Sequence, residues 1–169
     1  NKEDIKINEK NQQIKINNNN FQKGVTKFTD VEYKTLNEKG REFITKGKEA
    51  FLDKDQPDLI KLNNVHSYTE LSDGSILNIK SDKAQYYKNT KDIKYSQNVK
   101  IMNKDGIIIA ENASFFANKS LIRLEKNVVF KDPKNTVKGD IAELNTITNN
   151  LEIFMSREKD KVHGQRKQN

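Results

Sequence analysis

The stretch NKDGIIIAENASFFANKSLIRLEKNVVFKD, residues 103–132, carries a pattern that recurs along most of the chain. A turn containing Gly106 leads into an alternating run around Ala113, a second run around Leu124, and the pair Asn127-Val128. The same order occurs twice upstream and ends there in Asn64-Val65 and Asn98-Val99. The recurring alanines are 34, 29 and 29 residues apart: Ala50, Ala84, Ala113 and Ala142. A period of this length predicts stacked copies of one supersecondary unit.

Apolar and polar residues alternate at a period of two in nearly every segment between residues 41 and 154. Turn-forming residues separate these segments, for example at 37–40, 73–74, 105–106 and 132–135. The pattern predicts about a dozen short antiparallel strands. Residues 46–54 also fit a helix, but Ala50 aligns with strand residues Ala84 and Ala113, so a strand is predicted there. The fold class is therefore predicted to be all-β, as a sandwich, a jelly roll or an open roll.

One domain is predicted, because 169 residues with 33% hydrophobic content suffice for one thin sheet-based core and are few for two. Residues 1–20 are polar and rich in Asn, and are predicted to be a linker that is in part disordered. The domain itself is expected to cover residues 21–155. Residues 156–169 are expected to form a C-terminal edge with a basic tail.

The excess of positive charge lies mainly at the two ends of the chain. The formal net charge is +7, of which residues 1–27 contribute +3 and residues 155–169 another +3. Residues 28–154 are almost neutral, with 20 basic and 19 acidic residues. A groove lined along its length for phosphates is not predicted, and nucleic acid is not an expected partner.

The sequence contains no recognisable catalytic or metal-binding motif. His66 and His163 are far apart, and neither lies in a cluster with the spacing of metal ligands. The chain has no Cys, and Gly40, Gly74 and Gly106 lie in separate turns instead of a phosphate-binding loop. Asp53 and Asp55 lack the apolar surroundings that would raise a carboxyl pKa. An enzyme is therefore not predicted, and no metal or cofactor is expected.

Alternation places one set of apolar residues on a common face in every copy, which predicts a continuous apolar interior. A packed core is the simpler interpretation of this face. The recurring small alanines favour an open groove that holds an elongated apolar ligand. The residues predicted to line the groove are Ile60, Leu62, Val65, Ala84, Tyr86, Ile93, Tyr95, Val99, Ile101, Ala113, Phe115, Ile122, Leu124, Val128, Phe130, Leu144 and Ile153.

Three features of the sequence resemble the OstA-like periplasmic proteins of the lipopolysaccharide transport (Lpt) system. They are the Asn-Val repeat, Gly139-Asp140 in the segment NTVKGDIAELNTITNNLEIF, and the closing run from Val162. The resemblance covers about residues 21–165. The single-domain length, the polar lead-in and the segment FTDVEY at residues 28–33 are more similar to the LptC subunits than to the LptA bridge proteins.

This resemblance implies a twisted antiparallel jelly roll, called a β-taco, whose apolar groove shields the acyl chains of lipid A. It implies that the protein accepts lipopolysaccharide from the inner-membrane transporter and passes it to LptA without catalysing a reaction. The N-terminal edge would dock on the transporter and the C-terminal edge on LptA. The implied location is the periplasm, with an N-terminal helix, absent from this sequence, as the inner-membrane anchor. The edge residues are Val25, Phe28, Val31 and Tyr33 on the first edge, and Val137, Ile141, Leu144 and Leu151 on the last.

Two alternatives remain open at this point. An LptA-like periplasmic bridge protein would have the same fold and ligand but a different place in the transport chain. A structural β-solenoid would bind only protein through its sheet edges, and large side chains would fill its interior.

Overall fold

A computed structural model describes residues 24–155 and 161–162. These residues form one antiparallel sheet in which the strands follow each other in sequence order, and which curls without closing. This confirms the prediction of an all-β antiparallel roll of the β-taco type. The strands are β1 (Val25–Leu36), β2 (Glu42–Asp53), β3 (Leu59–Glu70), β4 (Ile76–Tyr87), β5 (Ile93–Asn103), β6 (Gly106–Phe116), β7 (Leu121–Lys131), β8 (Thr136–Asn145), β9 (Leu151–Phe154) and β10 (Lys161–Val162). The predicted linker at residues 1–20 lies outside the described residues.

Strands β1 to β8 are longer than the sequence pattern predicted. Each has 10 to 12 residues and joins two alternating runs that the pattern presents as separate strands. In β7, for example, the run of Ile122 and Leu124 continues into the run of Val128 and Phe130. The prediction of about a dozen short strands is wrong in length and number, because a bend instead of a turn separates the two runs.

The bend lies at the Asn of each Asn-Val pair. Asn64, Asn98 and Asn127 have left-handed backbone conformations, with φ of 51°, 55° and 53°, and Asp30 in β1 has φ of 51°. Asn and Asp tolerate this conformation better than other residues with a Cβ, because their short polar side chains form local hydrogen bonds. The recurring pair in the sequence is therefore the signal for a bend in the middle of a strand.

β-Bulges shift the register between neighbouring strands at the same level as the bend. From the β4–β5 pair to the β7–β8 pair the register shifts at this point, for example between Glu125 and Val128. The Asn98 side-chain amide donates a hydrogen bond to the Asp82 carboxylate at 2.6 Å, and the Asn127 amide donates one to Glu111 at 2.5 Å. Each bond joins an odd-numbered strand to the strand before it, so the bends in β5 and β7 are each held to a neighbouring strand.

The aligned bends fold the sheet into two leaves that face each other. The first leaf contains the starts of odd-numbered strands β1 to β9 and the ends of even-numbered strands β2 to β8, and the second leaf contains the other halves of β1 to β8. Beside the bend, the even-numbered strands carry small inward residues. A Cβ on Gly47 of the second leaf would lie 3.2 Å from the Cδ2 of Leu62 in the first leaf. The small residues are Ala50, Ala84, Ala113 and Ala142 in the first leaf and Gly47, Ser81, Ala110 and Gly139 in the second.

We predict that Asn127→Val lowers the free energy of unfolding by about 1–3 kcal/mol, because a β-branched residue is strained in the left-handed region. Asn127→Gly is the matched variant, since glycine adopts this conformation freely. Both variants lose the hydrogen bond to Glu111, so the difference between them isolates the backbone strain. Urea denaturation measures both values. Equal stability of the two variants would show that the bend does not need the left-handed conformation.

Candidate functional site

The candidate site is the apolar interior between the two leaves. All predicted groove residues lie on the inner face, and all except Phe130 are at most 5% exposed. Phe130 is half-buried and packs against the others. The interior also contains residues that the sequence analysis did not select, including Phe43, Leu77, Ile79 and Ile108. Their alternation is visible in β2 and β4, whereas the three consecutive isoleucines at 107–109 hide it in β6.

Aromatic side chains close the interior between the leaves. Phe43 of the second leaf stacks on Phe115 of the first, with ring centroids 3.9 Å apart and planes inclined by 6°. Tyr33 in β1 stacks on Tyr86 in β4 at 4.7 Å and 19°. These pairs join strands that are not neighbours in the sheet, so the contacts cross the interior. In this conformation the middle of the roll is a packed core.

Three polar side chains are enclosed in this apolar region. The Ser67 hydroxyl lies 2.8 Å from the Thr45 hydroxyl and 2.6 Å from the Tyr95 hydroxyl. Because Tyr95 belongs to the first leaf and the other two to the second, this chain of hydrogen bonds also joins the leaves. Burial raises the pKa of Tyr95, and the hydrogen bonds with Ser67 and Thr45 offset part of that rise.

Two further tyrosines in the interior have raised pKa values. Burial, with a smaller contribution from the neighbouring Tyr86, raises the pKa of Tyr33 to about 12. Burial likewise raises the pKa of Tyr86. Burial in an apolar site disfavours the charged form of a phenol, so all three tyrosines are uncharged at neutral pH.

Towards the C-terminal end the leaves separate and leave a cavity of about 340 Å³. This volume is near the lower limit of small-molecule pockets, which range over roughly 300–1,000 Å³. One wall comes from the second-leaf halves of β5 to β7 and the other from the first-leaf parts of β8 and β9. The apolar lining consists of Ile101, Ile108, Phe130, Leu144, Leu151 and Ile153.

Polar residues in two turns meet at the rim of this cavity. The Asn103 side-chain amide donates to the Asn149 carbonyl oxygen at 3.1 Å, and the Asn149 amide donates to the Asp105 carboxylate at 3.3 Å. Asn103 is the last residue of β5, Asp105 lies in the turn to β6, and Asn149 lies in the β8–β9 turn. We call these three residues the clasp. The clasp joins the outer rims of the two leaves, so it closes the cavity on the side away from the bend.

The sheet has two different ends. Among the described strands, β1 is the edge strand at the N-terminal end. Its Val25 and Phe28 are half-buried, while Val31 and Tyr33 point inwards and are buried. At the other end, Ile141 and Leu144 pair with β9 as well as β7, and Leu151 lies opposite Leu144. Val137 pairs with Phe130 of β7, and its other side has no strand partner among the described residues. Residues 136–139 have no second strand partner within the described structure and form an open backbone edge there.

A family model described as OstA-like protein matches residues 54–158, which is more than half of the 169-residue chain. The chain belongs to the OstA-like family. OstA-like proteins are transport and bridge proteins of lipopolysaccharide export in the periplasm, and they are not enzymes. The matched region contains β3 to β9 and both walls of the cavity. A search of curated proteins found no match.

Within residues 24–155 and 161–162, no group of acidic and histidine side chains has the geometry of a metal site. His66 lies on the outer face, where one ring nitrogen is 2.8 Å from the Asn78 side-chain oxygen. His163 lies outside the described residues. Residues 24–155 and 161–162 include no helix long and apolar enough to cross a bilayer.

Two carboxylates in surface ion pairs have lowered pKa values. A hydrogen bond from Lys27 lowers the pKa of Glu49, and a hydrogen bond from Lys104 lowers the pKa of Asp73.

We predict that stability decreases at alkaline pH as the buried tyrosines ionise. A folded-state pKa above the unfolded value of about 10 means that the stabilising contribution is complete below about pH 10 and is lost as pH rises towards the folded value. For Tyr33 this value is about 12. Tyr33→Phe removes the ionisation and should make the urea midpoint less dependent on pH across this window. An unchanged pH dependence in Tyr33→Phe would contradict the prediction.

Proposed function

We propose that this protein is an LptC-like component of lipopolysaccharide export, which receives the acyl chains of lipid A between its two leaves and passes them on along the roll. The observation that carries the proposal is the apolar cavity at the C-terminal end, because it continues the buried interior of the roll. An LptA-like bridge role is the second candidate, since it would use the same interior. Membership of the OstA-like family supports both roles.

The length of the interior fits transfer better than storage of a small ligand. The first leaf extends over nine strands, β1 to β9, and neighbouring strands are about 4.8 Å apart, so the inner face runs for roughly 38 Å. Shielding acyl chains from water is favourable by roughly 25 cal/mol per Å² of apolar surface. A long inner face can therefore offer the lipid several consecutive apolar positions of similar free energy.

Entry of an acyl chain requires the leaves to move apart. In the closed conformation the Phe43–Phe115 stack fills the middle of the roll, and the clasp joins the rims at the C-terminal end. The three clasp side chains are half-buried at the rim, so water can replace their hydrogen bonds when the leaves separate, at a net cost of roughly 0.5–3 kcal/mol per bond. We infer that the lipid separates the leaves at the clasp and occupies the cavity first.

The two sheet ends suit different partners. In this proposal the β1 edge pairs with a strand of the inner-membrane transporter, and the open backbone of residues 136–139 pairs with LptA. Strand addition would continue the curled sheet on both sides, and the apolar inner face would continue with it. The lipid could then move from one protein to the next without crossing water.

We predict that a photoreactive amino acid at Phe130 forms an adduct with lipopolysaccharide in membranes supplied with the transporter and ATP. Phe130 lines the cavity, so a reactive group there would meet an acyl chain between the leaves. Phe116 is the matched control, because it lies on the outer face of β6 with its ring near the Lys119 ammonium. An adduct at Phe130 and none at Phe116 supports the proposal. Equal adducts at both positions, or none at Phe130, would show that the interior does not take up the lipid.

The same method tests the two edges. We predict that a photoreactive residue at Thr26 in β1 crosslinks to the transporter, and that one at Lys138 in β8 crosslinks to LptA, because each lies on the backbone edge proposed for that partner. Both side chains are exposed, so either probe can reach a docked strand. Adducts of both partners at both positions would rule out the assignment of one partner to each end.

A further inference from the structure

The outer face of the first leaf contains a second concave feature, separate from the interior. It is a depression of about 570 Å³ across strands β2 to β7. Three exposed lysines line it, Lys61, Lys83 and Lys94, and the Lys94 ammonium lies 5.4 Å from the centroid of the Tyr87 ring. Their chain neighbours Leu62, Ala84 and Tyr95 point to the opposite face and are buried. The sheet therefore separates this depression from the apolar interior.

The register places the three lysines next to each other. Lys61 in β3 and Lys94 in β5 both pair with Gln85 in β4. Lys83 lies two residues from Gln85 along β4. With strands about 4.8 Å apart, the backbones of Lys61 and Lys94 are roughly 10 Å from each other, and Lys83 lies between them in the next row. Three flexible ammonium groups can thus reach one point above β4.

These positive charges have no carboxylate partners among the described residues. Other lysines on the same sheet do have them, as in the pairs Lys27–Glu49 at 2.6 Å and Lys46–Glu32 at 3.7 Å. The carboxylate at the rim of the depression belongs to Glu125, and Arg123 already binds it at 2.8 Å. The depression therefore has an uncompensated positive charge that an anion of the ligand could neutralise.

The remaining lining is rich in small hydroxyl and amide side chains. Ser96, Asn112 and Ser114 form the floor on β5 and β6, and the Phe51 ring stands at the β2 side. Hydroxyl and amide groups can both donate and accept hydrogen bonds, as the hydroxyl groups of sugars require. An aromatic ring offers an apolar surface for one face of a sugar ring. All of these groups lie on paired strands, with Ser96 and Asn112 beside the bulges, so the sheet sets their backbone positions before a ligand binds.

We infer that this depression binds a phosphorylated saccharide. The three lysines would surround the phosphate, which has three acceptor oxygens and up to two negative charges, while the amide and hydroxyl groups bind the sugar. A nucleic acid is a poorer fit, because backbone binding needs a stripe of cations along several phosphates and stacked bases need several aromatic rings. The site uses the outer face only, so it does not depend on the proposed lipid pathway.

Calorimetric titration of the full chain at low ionic strength tests this inference, with trehalose 6-phosphate, trehalose and inorganic phosphate as probes. We expect trehalose 6-phosphate to bind about ten-fold more tightly than either other probe, which corresponds to roughly 1.4 kcal/mol. The double variant Lys61→Ala/Lys83→Ala should weaken that binding about ten-fold, as expected for the loss of charge-assisted hydrogen bonds. The control Lys80→Ala/Lys100→Ala removes two charges from the outer face of the second leaf. It should change the affinity for trehalose 6-phosphate by less than about two-fold.

Four results would overturn the inference. Equal affinity for phosphate and trehalose 6-phosphate would show that the depression is a general anion site. Equal loss of affinity in the two double variants would show that binding is only diffuse electrostatic attraction. If a single-stranded oligonucleotide bound more tightly than trehalose 6-phosphate, and with a strong salt dependence, the ligand would be a nucleic acid instead. Absence of binding by trehalose 6-phosphate would remove the site altogether. Crosslinking of lipopolysaccharide at Phe130 is a separate measurement, so the two proposals can fail independently.

Discussion

The left-handed bend in the middle of the strands is the constraint on which the rest of this structure depends. A β-strand of 12 residues would otherwise extend as one twisted ribbon, and a sheet of such strands would expose both faces to water. Asp30, Asn64, Asn98 and Asn127 reverse φ at one level of the sheet, so every odd-numbered strand from β1 to β7 bends at this level. Two leaves result, and the inner face becomes a buried surface although only 33% of the residues are hydrophobic.

Close packing beside the bend follows from the geometry of two leaves that meet at an acute angle. Large inward residues on odd-numbered strands, such as Leu62 and Tyr95, need small residues on the neighbouring strands, and alanine, glycine or serine occupies those positions. The alanine repeat is thus a feature of the packed core, and it does not by itself indicate room for a ligand. Room for a ligand occurs instead at the C-terminal end, where the leaves separate and the clasp joins their rims.

The interior combines a packed middle with a cavity that the clasp closes at the C-terminal end. In the proposed function, the packed middle keeps the roll folded while the cavity end opens to release the ligand. Aromatic stacks and the Thr45–Ser67–Tyr95 hydrogen bonds join the leaves in the middle of the roll. The cavity end is held by hydrogen bonds that water can replace. Because the outer face of the first leaf has its own uncompensated lysines, a single sheet has one apolar face and one polar face.

The sequence by itself determined the fold class and the inner face, because both depend on local signals: alternation at a period of two selects strands, and it places Ile60, Ile122 and Leu144 on one side of the sheet. The recurring Asn-Val pairs were also visible in the sequence. Only the backbone conformation showed that they are bends within long strands. Contacts between distant strands were decided by the tertiary structure alone. The Phe43–Phe115 stack, the clasp between residues 103–105 and 149, and the lysine depression depend on how far the leaves close and how the rows align, and no pattern along the chain encodes these distances.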